Sequence, residues 1–189
     1  MKRNFTRRRV ITTGIDKIWC SDLVEMQQFS KWNNGYRLDL FSKYGRIVPL
    51  KDKKGETVKE AIKTIFKEGR KPQYLWTDRG KEYYNKNMKE LLEKKDITLY
   101  SVEKEEKSSV CERWNRTIKT KMWKQFTVQG NTQYLSILPK ILNQYNNTKH
   151  SSIGMTPVEA SKKKCILTYK VIWRNCHLSL NSRLAIKSG

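Results

Sequence analysis

Lys17-Ile18-Trp19-Cys20-Ser21-Asp22-Leu23-Val24-Glu25-Met26 is apolar on both of its alternating faces. Successive side chains of a strand point to opposite sides. Ile18, Cys20 and Val24 therefore share one face, and Trp19 and Leu23 the other. That is the pattern of a strand buried on both sides, in the middle of a sheet that helices cover front and back. Asp22 lies inside this strand. A buried carboxylate is costly unless it is paired or bound to a metal, so the same stretch supplies the first candidate functional residue.

Outward from this strand, Asn33-Asn34-Gly35 signals a turn, Tyr36–Phe41 reads as a second strand, Tyr44-Gly45 breaks it, and Arg46–Leu50 reads as a third. Three strands joined by short turns make an antiparallel meander. Over residues 56–68 the period becomes helical, with Val58, Ala61, Ile62, Ile65 and Phe66 on one face and Gly69 ending the run. Pro72 opens a strand, Gln73–Thr77, that delivers Asp78 to its carboxyl end, and Arg79-Gly80 turns the chain. A helix over 82–95 places Met88, Leu91 and Leu92 inward, and Ile97–Val102 is a fifth strand. After the polar loop Glu103–Lys107, Ser108-Ser109 caps a helix over about 109–127, with Val110, Trp114, Ile118, Met122 and Phe126 as its apolar stripe. A helix over 132–146 is interrupted by Pro139 or has its second half started by it, and Thr156-Pro157 begins a short last helix. A meander followed by βα units predicts an α/β domain: a five-stranded mixed sheet with helices on both faces.

Charge dominates the composition. Forty Lys and Arg stand against 18 Asp and Glu, a net charge of +22 at pH 7. Self-repulsion of that size points to a polyanionic partner, with nucleic acid first and an anionic membrane surface second. No apolar run is long enough to span a bilayer, and no amphipathic helix supports a membrane-surface role. The opening Met1-Lys2-Arg3-Asn4-Phe5-Thr6-Arg7-Arg8-Arg9 lacks a following apolar segment, so it is not read as a secretory signal. It reads as a nuclear-import signal, a phosphate-touching arm or a solvated basic tail. Cys20, Cys111, Cys165 and Cys176 form no CxxC pair, and His150 and His177 complete no zinc spacing. Cys20 and Cys111 lie inside apolar or helical patterns and read as ordinary buried thiols, which fits a reducing intracellular compartment; a nuclear location is expected.

Two further carboxylates join Asp22. Asp78 ends a strand, where sites in α/β sheets assemble. Glu112 lies in the first turn of the long helix, two residues from both Val110 and Trp114. Two residues are about 200° of helix rotation, so Glu112 points away from the apolar stripe, with Asn115, Arg116 and Lys119 on its face. If the first and fourth strands are neighbours, Asp22 and Asp78 come side by side. Two like charges about 4 Å apart repel by roughly 4 kcal/mol at an effective dielectric near 20, and divalent cations remove that repulsion. Taken singly, each acid is more often a cap, a turn residue or a salt-bridge partner.

The words around these acids are more specific. Trp19-Cys20-Ser21-Asp22-Leu23, Asp39-Leu40-Phe41-Ser42-Lys43-Tyr44, Trp76-Thr77-Asp78-Arg79-Gly80-Lys81-Glu82-Tyr83, the run from Ser108 to Lys119, and the run from Tyr145 to Glu159 occur in this order. Together they resemble the retroviral-type integrase catalytic core of the DDE superfamily over roughly residues 15–162, with the look of integrases from transposons of the Polinton/Maverick type. The resemblance implies an RNase H-like fold. It implies Asp22, Asp78 and Glu112 as catalytic residues and ligands of two Mg²⁺ ions, with Mn²⁺ able to substitute. It implies DNA contacts by Arg116 and Lys119, with Asn115, Lys107 and Ser108 beside them. The activity implied is DNA integration or transposition by phosphoryl transfer, as 3′-end processing and then strand transfer. The partners implied are double-stranded DNA, both transposon ends and target, and further copies of the chain.

The core so drawn is residues 17–162, preceded by a basic arm, 1–16, and followed by a basic tail, 163–189, too short for a complete SH3-like barrel. The stretch between Asn33-Asn34-Gly35 and Asp39 is shorter than the resemblance implies. A curtailed second strand is expected to weaken pairing with the strand that carries Asp22. The alternative reading is therefore a catalytically decayed, transposon-derived DNA-binding protein that keeps the fold. Another RNase H-like nuclease would share the carboxylates but not the run from Tyr145 to Glu159.

Overall fold

The computed structural model describes Gly14, residues 16–31, Asn33, residues 35–101 and residues 109–162. Five strands, β1 (Ile18–Glu25), β2 (Tyr36–Phe41), β3 (Gly45–Leu50), β4 (Tyr74–Trp76) and β5 (Thr98–Tyr100), form one sheet in the order β3-β2-β1-β4-β5. β1 pairs antiparallel with β2 and parallel with β4, and β4 pairs parallel with β5. The helices are α1 (Gly55–Phe66), α2 (Lys86–Glu93), α3 (Ser109–Gln129), α4 (Leu138–Asn146) and α5 (Pro157–Lys162), with a short 3-10 turn, Gln27–Phe29, after β1. No helix among the described residues is long and apolar enough to cross a membrane.

The double-sided pattern of β1 becomes two cores. Trp19, Leu38 and Leu75, on one face of the sheet, pack against Val58, Ile62 and Ile65 of α1 and Met88 and Leu92 of α2. Cys20 and Val24, with Trp76, pack against Trp114, Ile118 and Met122 of α3 and Ile141 and Tyr145 of α4. The start of β1 is pinned. Asp16 accepts two hydrogen bonds from the Arg70 guanidinium, at 2.6 and 3.1 Å, and one from Trp19 Nε1 at 3.0 Å. Its carbonyl accepts from Gln73 N at 2.9 Å, which starts the parallel ladder with β4.

Helix ends follow local chemistry. α2 begins at Lys86, four residues later than the pattern over 82–95 suggests, because Asn85 Oδ1 caps it through Met88 N at 2.9 Å. Pro139 sits in the first turn of α4 and starts that helix rather than breaking one. Thr156 and Glu159 form a reciprocal capping box at the start of α5, with hydrogen bonds of 2.8 and 3.1 Å.

The second strand is not weakened, contrary to the sequence expectation. Its six residues pair with β1 in six register pairs, Cys20↔Phe41 to Glu25↔Tyr36, and with β3 in six more. The shorter stretch before Asp39 is matched by β3, also six residues long, so the ladders on both sides of β2 are complete. The outer edge at Gly45 is closed by a side chain. Asn146 accepts from Gly45 N at 2.9 Å and donates to Gly45 O at 3.0 Å, as a neighbouring strand would. A Cβ at Gly45 would lie 2.7 Å from Trp114 Cζ2, so only glycine lets α3 pack this closely.

Two substitutions test this closure. Gly45→Ala should destabilise by about 1–3 kcal/mol through overpacking. Asn146→Ala should cost about 1–3 kcal/mol for each buried backbone group it leaves unmet. Both are read from urea midpoints, and midpoints equal to the parent's would refute the packing described.

Candidate active site

The parallel ladder of β1 and β4 ends at Cys20↔Trp76. Asp22 and Asp78 each stand two residues beyond that pair, so neighbouring chain ends, about 4.8 Å apart, deliver both acids to one place. Both are half-buried. The end of β4 is held by Thr77 N, which donates to Tyr100 O at 3.1 Å. The Arg79-Gly80 turn folds back so that Gly80 N approaches Asp78 Oδ1 at 3.4 Å.

Tyr83 lies under this pair. It is fully buried, and its hydroxyl shares a 2.9 Å hydrogen bond with Ser21 Oγ, next to Asp22. Burial pushes the Tyr83 phenol well above its usual value. The Ser21 hydrogen bond offsets part of this, while the charges of Asp22, Asp78 and Glu82 raise it further. One phenol feels both Asp22 and Asp78, and at neutral pH it keeps its proton.

From the other core, α3 reaches the same place. Asn115 is buried, and its Nδ2 donates to Asp22 Oδ2 at 2.6 Å. Its Oδ1 is also buried, with no hydrogen-bond partner among the described residues. Asn115 thus holds Asp22 instead of sharing the solvent face with Arg116 and Lys119, which are exposed. Trp114 and Ile118 anchor α3 so close to β1 that the next position is covered too. Glu112 is exposed in the first turn of α3. It precedes Asn115 by three residues, a spacing that makes the two neighbours on the helix surface.

The structure brings Asp22 and Asp78 together, with Asn115 on Asp22. It does not gather all three acids: among the described residues no group of three His, Cys, Asp or Glu is close enough to hold a metal ion. Lys107 and Ser108 lie outside the described residues. The donor set still suits a hard cation. Mg²⁺ keeps several waters and binds through one or two carboxylates plus substrate phosphates, and two aspartates beside an unmet amide oxygen provide that.

Three features escaped the sequence reading. Tyr83 and Ser21 are one; the signal was a hydroxyl residue beside Asp22 and a tyrosine soon after Asp78. Lys43 is another. It occupies the β2–β3 turn at φ 71°, and burial, followed by the neighbouring Arg113 charge, lowers its pKa. The third is a basic groove between α3 and α4, lined in part by Arg113, Arg116 and Lys124.

Solved structures share this architecture. A chain of the simian T-cell lymphotropic virus intasome, solved in complex with the PP2A regulatory subunit B56 gamma, superposes with a TM-score of 0.73 at 15% identity, covering 88% of this chain and 62% of the other. The HTLV-2 integrase catalytic core domain, solved in complex with magnesium in a trimeric form, gives 0.63 at 18% identity, covering 78% of this chain and 97% of that one. The fold is therefore the one these integrase structures share. Residues 13–107 match the integrase core domain family, and the chain belongs to that family. The matched stretch contains Asp22 and Asp78, and Glu112 lies beyond it. A transposon-derived protein of Caenorhabditis elegans is 37% identical over 143 residues, 72% of this chain and 50% of the relative, so the chain spans about half the length of that relative.

The buried phenol gives a pH test. The folded protein keeps the Tyr83 proton that the unfolded chain releases near pH 10. Its contribution to stability is full below that pH and is lost as pH rises toward the higher folded value. Tyr83→Phe should cost about 1 kcal/mol at neutral pH through the lost hydrogen bond, yet lose less stability than the parent above pH 10. Equal alkaline losses in urea titrations of the two proteins would contradict the placement of Tyr83.

Proposed function

We propose that the chain catalyses DNA integration or transposition by metal-dependent phosphoryl transfer, and the observation that carries this is the pairing of Asp22 and Asp78 beyond the β1–β4 ladder. In this reading Asp22 and Asp78 hold the cation, and Glu112, one turn before Asn115 on α3, completes the ligand set when DNA is bound. Mg²⁺, or Mn²⁺ in its place, supplies charge neutralisation and polarises the reacting phosphate. Asn115 fixes the orientation of Asp22, and the buried Ser21–Tyr83 pair keeps the strand beneath it from shifting. Arg116 and Lys119, exposed on the same helix, hold the phosphates flanking the reacting bond. The reactions are trimming of a 3′ end by water and attack of the freed 3′-hydroxyl on a second phosphodiester. No covalent protein intermediate is needed, because positioning and charge stabilisation carry such transfers.

The intasome and trimeric assemblies named for the viral neighbours support a homo-oligomer on double-stranded DNA as the working form. A nuclear location, expected from the basic amino end, belongs to the same proposal. The absence of a three-acid group among the described residues favours the second reading, a decayed DNA-binding protein that keeps the fold.

A strand-transfer assay on short duplexes with Mg²⁺ or Mn²⁺ separates them. The parent should join ends, Asp78→Asn should fall to background, and Asn115→Ala should lose about 10–100-fold, as expected for a group that orients a metal ligand. Salt-sensitive DNA binding without joining by any of the three proteins would establish the second reading. Arg116→Ala and Lys119→Ala should each lower the salt slope of binding by about 1 on every sequence.

A further inference from the structure

The groove between α3 and α4 lies outside the Asp22–Asp78 pair. It has a volume of about 610 Å³, and Arg113, Arg116, Lys121, Lys124 and Lys140 line it with no acidic residue among the lining. Lys121 Nζ bridges the groove to Gln144 Oε1 of α4 at 3.2 Å, which leaves its charge uncompensated. None of the five cations has a carboxylate partner among the described residues. Five like charges along one trough are unfavourable unless an anion runs along it.

The shape of the charge identifies the anion. Arg113 to Lys124 spans 11 residues of α3, about 16 Å along the axis. One strand of B-DNA presents a phosphate about every 3.4 Å of axis, so the row matches about five consecutive phosphates. The covered part of the lining is aliphatic, from Ile137 and Ile141, and no aromatic residue lines the groove. Unpaired bases are held by stacking on aromatic rings, so the lining suits a backbone and not a splayed single strand. Lys124 lies nine residues beyond Asn115, about 13 Å along α3, which places this contact away from the reacting bond.

We propose that the α3–α4 groove is a binding site for the phosphate backbone of duplex DNA, engaging the duplex beyond the segment held at Asp22 and Asp78. The proposal rests on DNA being the substrate, but not on retained catalysis. Lys124 and Lys140, on opposite walls, belong to this site alone. The contact is independent of sequence, as phosphate contacts are.

The test is binding of a 30-base-pair duplex to the full chain, followed by fluorescence anisotropy across a salt series. The Lys124→Gln, Lys140→Gln double variant should bind about tenfold more weakly, with a salt slope smaller by about 1.8, close to 0.9 per phosphate contact. Its thermal midpoint should match the parent's. The control removes the same charge from the opposite face: Lys53 and Lys67 are exposed around α1, and the Lys53→Gln, Lys67→Gln variant should keep the parental slope. Parental slope and affinity in the groove variant would overturn the proposal, and so would equal losses in the control, which mean diffuse charge. Tighter retention of single-stranded DNA than of duplex, or of an acidic protein over either, would also overturn it. Strand transfer does not enter these readings. A chain that joins no ends can still show the groove effect, and one that joins ends can lack it.

Discussion

The parallel pairing of β1 with β4 is the contact on which the rest depends. Antiparallel neighbours would carry Asp22 and Asp78 to opposite ends of the sheet, whereas a parallel pair carries both to the same end. The pairing is secured at its start by Asp16, which receives Arg70 and Trp19 through its side chain and Gln73 through its backbone. At its finish it is secured by the Ser21–Tyr83 hydrogen bond, which ties β1 to the segment after β4. Between them, two cores clamp β1 from front and back. Placing two acids side by side is costly, and the sheet bears that cost because so much apolar surface fixes the strands.

The second core has a double role. Trp114, Ile118 and Met122 bury α3 against β1, and that depth turns Asn115 inward onto Asp22. The same close approach requires Gly45, whose missing side chain makes room for Trp114, and Asn146, which satisfies the exposed edge of β3. The Tyr145-Asn146 pair is thus structural in this chain. Tyr145 packs on Trp114 with ring centroids 6.2 Å apart, while Asn146 serves as a substitute strand. The outer face of α3 faces solvent and carries the charge.

How much of this was legible in the sequence varies with how local the cause is. The two-sided pattern of β1 and the i+4 stripe of α3 are properties of single segments, and the clusters follow them from Ile18 to Val24 and from Trp114 to Phe126, the side chain of Val110 lying outside the described residues. The two aspartates were legible as a pair once β1 and β4 were neighbours, and the strand order places them so. The start of α2 was misjudged because Asn85 outcompetes the upstream residues as a cap, and Tyr83 is drawn into the core by Ser21. The burial of Asn115 against Asp22 was not legible, because the angle of one residue beside a stripe decides nothing until the distance to β1 is known. The groove was invisible for a simpler reason: Lys124 and Lys140 lie on different helices, and only the packing of α3 against α4 puts them on facing walls. The brevity of the stretch before Asp39 was legible but overread, since β3 is equally short and the ladders close.

The central claim is that Asp22 and Asp78 form a cation-holding pair. Titration of the full chain with Mn²⁺, followed by water-proton relaxation and compared with Asp22→Asn and Asp78→Asn, tests it most directly. The account predicts saturable binding by the parent that is lost in both variants while their folds persist by circular dichroism. Saturable binding that survives both substitutions, or none in the parent with or without duplex DNA, would contradict it.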